Sequence, residues 1–214
     1  MASSTIELDS ELVQRVPPKG KVSFEEYIEW LDEDTRAEWV DGEIVLMPSP
    51  ATLEHQNAGL FLSSVLNIYV QANNLGRVVF APYVMKMAAI ARGREPDIIF
   101  VRKDREHLLT RHYLDGPADL AIEIVSPDSK KRDRKEKFAE YEAAGVLEYW
   151  MFDPDHRTAE FYQLGEDGRF HRAEIGADGI YRSKVVAGFW LRVDWLWQTP
   201  MPATLDVLRE LKVL

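Results

Sequence analysis

The run Asp119-Leu120-Ala121-Ile122-Glu123-Ile124-Val125 is almost wholly apolar between short polar flanks and ends at Ser126-Pro127. A run of this kind reads as a central strand covered on both faces. The charged segment KKRDRKEKFAEYEAAG follows, with helical spacing and a stop at Gly145, and Glu148 to Phe152 returns as another strand. Strand, helix, strand predicts a parallel pair joined by a right-handed crossover. The chain must therefore build a sheet with cover on both sides. Its 214 residues, 46% hydrophobic and 29% charged, suffice for one well-buried domain, and they exclude a disordered, collagenous or coiled-coil chain. That domain is expected over residues 21–214, with 1–20 as a loosely held arm.

Other elements are legible on either side. Ser23-Phe24-Glu25-Glu26 is a capping box that starts a short helix to about Leu31. Asp41-Gly42 lies between two apolar-rich arms and predicts a hairpin from about Ala37 to Met47. After PSPATLEHQ, the spacing of Leu62, Val65, Ile68, Tyr69 and Ala72 predicts the longest helix, to about Asn73, with Gly76 as its stop. Strands are expected at Arg77 to Phe80, Tyr83 to Met87 and Asp97 to Val101, and antiparallel strands with Gly-containing turns from Thr158 to Val193. A final helix is expected over about Ala203 to Leu211. The fold class is α/β (α+β): a mixed central sheet flanked by helices, with an added N-terminal helix and hairpin and C-terminal antiparallel strands.

Lys and Arg number 26 against 36 Asp and Glu, giving a net charge of −10, and there is no cysteine. Thiolate chemistry and disulfides are excluded, which fits a cytoplasmic location. No stretch approaches the roughly 18 apolar residues of a membrane span, and the N-terminus lacks the apolar core of a secretory signal. An acidic chain is a poor general coat for nucleic acid. Any such role must come from a local patch, and Lys130, Lys131, Arg132 and Arg134 form the visible one. Cations at a helix start oppose the macrodipole, which favours a ligand-driven reason for the cluster over a merely solvated helix start.

Two acids stand where burial is expected. Asp97 opens an apolar run after Pro96, and Glu123 interrupts the central strand. An ionised carboxylate out of water costs several kcal/mol unless a partner or metal offsets it. At about 100° per residue, with Asp133 as origin, Phe138, Tyr141 and Ala144 fall at about 140°, 80° and 20°, and Lys137 and Arg134 fall inside that arc at about 40° and 100°. One reading is that Asp97 and Glu123 hold Mg²⁺ or Mn²⁺, as hard oxygen ligands without cysteine favour, with Lys137 polarising a phosphate or a water. The other is a buried ion pair that only fixes helix on sheet. Spacing does not choose between them.

The succession Ser23-Phe24-Glu25-Glu26-Tyr27, Glu38-Trp39-Val40-Asp41-Gly42-Glu43, Pro48 to His55, Pro96-Asp97-Ile98-Ile99-Phe100-Val101, Asp119 to Pro127, and Asp133 with Lys137, Tyr141, Ala144-Gly145-Val146 and Glu148-Tyr149-Trp150 resembles the Uma-two family of restriction endonucleases. The resemblance runs in order from about Ser23 to Trp190. It implies the PD-(D/E)XK nuclease superfamily: a restriction-endonuclease-like core and Mg²⁺-dependent phosphodiester hydrolysis in DNA. It also implies Asp97 and Glu123 as the two metal-binding acids. The superfamily lysine stands two positions after the second acid, where this chain has Val125. Residues two apart in a strand share a face, so Lys137 is the expected substitute. His55 matches a family histidine and is expected in the cleft as general base or phosphate contact, or, on a purely structural reading, bonded to a loop carbonyl.

Of Glu38 and Glu43, one could be a third acid, with ordinary surface exposure the favoured expectation. Trp190, Trp195 and Trp197 mark core or a subunit contact. With the family analogy, the apolar C-terminal segment points to a homodimer. The expected function is a metal-dependent endonuclease with Asp97, Glu123, Lys137 and His55 as its catalytic set. The alternative is an inactive nucleic-acid-binding or accessory protein of the same fold, associated with mobile DNA.

Overall fold

A computed structural model describes residues 16–32, 34–47, 52–126 and 129–214. Most of the expected arm, part of the loop before His55, and Pro127 lie outside the described residues. In chain order the elements are α1 (Phe24–Trp30), β1 (Ala37–Val40), β2 (Glu43–Leu46), α2 (Leu53–Ala72), β3 (Gly76–Phe80) and β4 (Val84–Met87). Next come β5 (Arg92–Arg94), β6 (Ile98–Arg102), β7 (Tyr113–Asp115), β8 (Leu120–Ile124), a π-helical turn (Arg132–Lys137) running into α3 (Phe138–Ala144), and β9 (Glu148–Asp153). The chain closes with β10 (Thr158–Leu164), β11 (Phe170–Arg172), β12 (Ile180–Arg182), β13 (Trp190–Arg192) and α4 (Thr204–Glu210).

The main sheet has the order β11-β10-β9-β8-β6-β3. β8 and β9 pair in parallel across the crossover that contains α3, and the other neighbours are antiparallel. All five residues of β8 and all six of β9 are buried, as a strand covered on both sides requires. One face packs Leu62, Leu66, Ile98, Ile122, Trp150 and Phe152 with α2 and the C-terminal segment. The opposite face packs Ile99, Val101, Ala121, Val125, Tyr141 and Tyr149. Glu123 has the parity of Ala121 and Val125, so strand alternation alone sends it toward α3.

The N-terminal hairpin does not stand alone as an appendage. β1 and β2 join β4, β5 and β7 in a second sheet of order β2-β1-β5-β4-β7. The capping box forms as expected, with Ser23 accepting from the Glu26 backbone and Glu26 from that of Ser23. Phe24 and Tyr27 then bury against Ala37 and Val84, and the Tyr27 hydroxyl donates to the Ala37 carbonyl at 2.6 Å.

Gly76 sits at φ 149°, and a Cβ there would lie 2.1 Å from the Val101 carbonyl oxygen. Gly76→Ala is expected to cost roughly 2–4 kcal/mol, from strain plus a clash with backbone that cannot swing aside. Urea unfolding checks this, and an unchanged midpoint would contradict it.

Candidate functional site

The antiparallel register of β6 on β8 pairs Ile98 with Ile122. One step further it sets Asp97 opposite Glu123, at the end of the ladder where the β6 backbone leaves the sheet. Asp97 Oδ2 accepts the Ile124 backbone N–H at 2.7 Å, so the aspartate is fastened beside the glutamate's own strand. Its other oxygen lies 3.3 Å from His55 Nε2, in the first turn of α2.

From the opposite side comes Lys137, 2% exposed. Its ammonium lies 2.9 Å from Glu123 Oε1, 3.3 Å from Glu38 and 3.6 Å from Asp133. The Tyr141 hydroxyl donates to the same Glu123 oxygen at 2.6 Å. Asp133, Lys137 and Tyr141 are four residues apart and look inward together. The π-helical turn widens this stretch, and π-turns inserted into helices recur at functional sites. Arg134, placed in the buried arc by an α-helical count, is instead half-exposed and bonded to Glu160 and Asp153.

The charges are unequal: three buried carboxyls surround one ammonium, with Asp97 close by. Burial alone would lower the Lys137 pKa, but Glu123, Glu38 and Asp133 hold it well above the usual lysine range. Burial also opposes a charged Glu38, yet Lys137 and Arg94 bring its pKa down to about 2. Glu123 goes the other way: burial, with Asp133 and Asp97 nearby, pushes it up to about 8 despite the lysine. Burial raises Asp133 as well, and both its carboxylate oxygens are buried without a hydrogen-bond donor. Glu148 is the contrast. It too is a buried acid on a strand, but it accepts from the Trp150 indole, the Ser183 hydroxyl and the Lys184 backbone, tying β9 to the segment between β12 and β13. Satisfied acids of that kind hold a fold together; among the acids around Lys137, Asp133 is the one short of donors.

Glu38 is the residue that sequence reasoning misplaced. The expectation of exposure holds for Glu43 but not for Glu38, which is 0% exposed. Its second oxygen accepts from Arg94 at 2.5 Å, and Arg94 forks onto both oxygens of Glu140 at 2.7 and 2.8 Å. Arg92 joins Glu140 and Asp41. This chain of charges ties the second sheet and α3 to the Lys137 cluster. The available signal was Arg92-Gly93-Arg94, which forms β5 and whose alternating arginines need acids beside them.

Glu95 adds a pH effect. It is buried, 3.6 Å from the Arg36 guanidinium, and burial pushes its carboxyl up to about 7. A carboxyl raised in the folded state binds more protons folded than unfolded, so stability falls as pH rises between about 4.5 and 7. Glu95→Gln should abolish up to roughly 3 kcal/mol of that decline. Unfolding at pH 5 and pH 8 checks it; identical pH slopes in the two proteins would contradict it.

His55 does not bond a loop carbonyl through Nε2. The Asp97 bond raises its pKa above the ordinary histidine value, and Nδ1 is buried without a hydrogen-bond partner. Both groups line a cleft of about 470 Å³ between α2 and the ends of β3 and β6, with Arg36 at the same cleft. The basic cluster is not one free patch. Arg134 is bound as above, Lys130 lies 3.9 Å from Asp153, and Arg132 is partly buried, while Lys131 is exposed. Val125, at the usual lysine position, is buried in the core beside α3.

This architecture also occurs in a solved structure, titled a putative nuclease belonging to DUF820 from Anabaena variabilis. It superposes with a TM-score of 0.68 at 18% identity, over 82% of this chain and 97% of that one. The fold is restriction-endonuclease-like. The family model described as "Uma2: Putative restriction endonuclease" matches residues 24–194, and the chain belongs to that family. No curated protein is significantly similar. Among the described residues, no helix is long and apolar enough to cross a membrane.

Proposed function

We propose that the protein is a metal-dependent endonuclease that hydrolyses phosphodiester bonds in DNA. The observation that carries this reading is the approach of Asp97 and Glu123 at the open end of β6 and β8, beside a buried lysine with too little positive charge for the acids around it. Among the described residues, no three His, Asp or Glu side chains converge as an all-protein metal cage. Mg²⁺ uses one or two carboxylates and fills its octahedron with waters and substrate phosphates, so this donor set fits it, with Mn²⁺ as substitute. When bound, the cation would polarise the scissile phosphate and offset its charge.

The chain's own groups do the rest. Lys137 orients Glu123 and keeps a fixed positive charge beside the reacting phosphate, in a site where little water screens it. Glu38 and Tyr141 position that pair. His55 orients Asp97 and, with its raised pKa, offers positive charge toward a phosphate in the cleft.

The test is incubation of supercoiled plasmid and circular single-stranded DNA with the protein in EDTA, Mg²⁺ or Mn²⁺. Metal-dependent cutting that disappears in Asp97→Asn supports the reading. Binding without cutting under any metal would overturn it and assign the accessory role.

A further inference from the structure

The cleft beside Asp97 and His55 has walls unlike those of a duplex-binding channel. On one side stands Phe80, the last residue of β3, 69% exposed; across from it Leu60 of α2 is equally exposed. Between them α2 presents the uncharged Ser63, Ser64 and Asn67. Arg36 is the one Lys or Arg among the described residues that line the cleft, and Glu95 already engages it at 3.6 Å.

Duplex binding draws its affinity from cations on phosphates. Here the net charge is −10, and Asp153 and Glu160 engage Lys130 and Arg134 of the basic cluster. Base stacking on an aromatic ring needs no such neutralisation, and every base offers a face for it. Asp97 and His55 also line a recess, which a phosphate on a closed duplex reaches poorly and an unpaired or flipped nucleotide reaches well. Its volume of about 470 Å³ lies within the range of small-ligand pockets.

We infer that the cleft takes an unpaired DNA strand, with a base laid on the Phe80 ring and its edge facing the hydroxyl and amide groups of α2. The inference deepens the nuclease reading and rests on it for the identity of the ligand.

Fluorescence anisotropy in EDTA tests it without cleavage, using fluorescein-labelled oligothymidylate alone and annealed to oligodeoxyadenylate. The single strand should bind roughly tenfold or more tightly than the duplex. Phe80→Ala, at an exposed position, should weaken single-strand binding by roughly 5- to 150-fold, while Phe80→Trp retains it. Equal or tighter duplex binding, no binding of either probe, or indifference to Phe80→Ala overturns the inference. Its fate separates from that of the catalytic reading. Metal-dependent cutting by a protein whose strand binding ignores Phe80 removes this inference alone. Phe80-dependent strand binding with no cutting under any metal removes the catalytic reading alone.

Discussion

Glu123→Gln is expected to reduce Mg²⁺-dependent cleavage by about 10³-fold or more while leaving the fold nearly as stable as before. Burial and the neighbouring acids push the Glu123 pKa up to about 8, so at neutral pH the metal-free side chain carries a proton and the amide is close to its isostere. The amide oxygen can still accept from Lys137 and Tyr141. What disappears is the capacity to become a carboxylate when a cation arrives. A cation's hold on a scissile phosphate is worth several kcal/mol, and each 1.4 kcal/mol is about tenfold in rate. Asp97→Asn should act likewise, since its oxygen can still accept from the Ile124 backbone. Single-turnover cleavage and thermal unfolding of the same samples measure both effects. Full activity in either variant contradicts the assignment, and joint loss of activity and folding would show a structural role instead.

Lys137→Met carries the largest expected effect on stability. Removing one partner of a buried ion pair costs about 3–5 kcal/mol, because the partner is left as an uncompensated buried charge. Here Glu38 and Asp133 lose the ammonium as counter-charge, the protonated Glu123 loses a hydrogen-bond donor, and only Glu38 retains a second cation, Arg94. The deficit should be greatest near neutral pH and shrink as pH falls, since the orphaned carboxyls then take up protons. Asp133→Asn in the same chain should recover part of it, giving a coupling of roughly 0.5–3 kcal/mol in a double-mutant cycle. Urea unfolding followed by tryptophan fluorescence reads all four proteins. Wild-type stability in Lys137→Met would mean that the cluster is not held by its charges.

Much of the frame was legible because local rules and the fold agree. The capping box at Ser23, the Asp41-Gly42 hairpin, the long helix stopped before Gly76 and the parallel crossover around α3 follow from side-chain chemistry over a few residues. The acids Asp97 and Glu123 were legible as anomalies, apolar runs being poor places for charge. Three things were hidden. The π-helical turn changes the angular count, so Arg134 was placed inward and Asp133 served only as an origin. Glu38 is buried by a sheet assembled from β1, β4, β5 and β7, and no periodicity in four residues announces so distant a set of neighbours. The cancellation of the basic cluster depends on Asp153 and Glu160, which approach only when β9 and β10 pair.

The most direct measurement is anomalous scattering from crystals soaked in Mn²⁺. A peak within coordination distance of both the Asp97 and Glu123 carboxylates, absent from Asp97→Asn crystals grown and soaked identically, is the predicted result. Manganese bound elsewhere, or the same peak persisting in Asp97→Asn, would contradict the account.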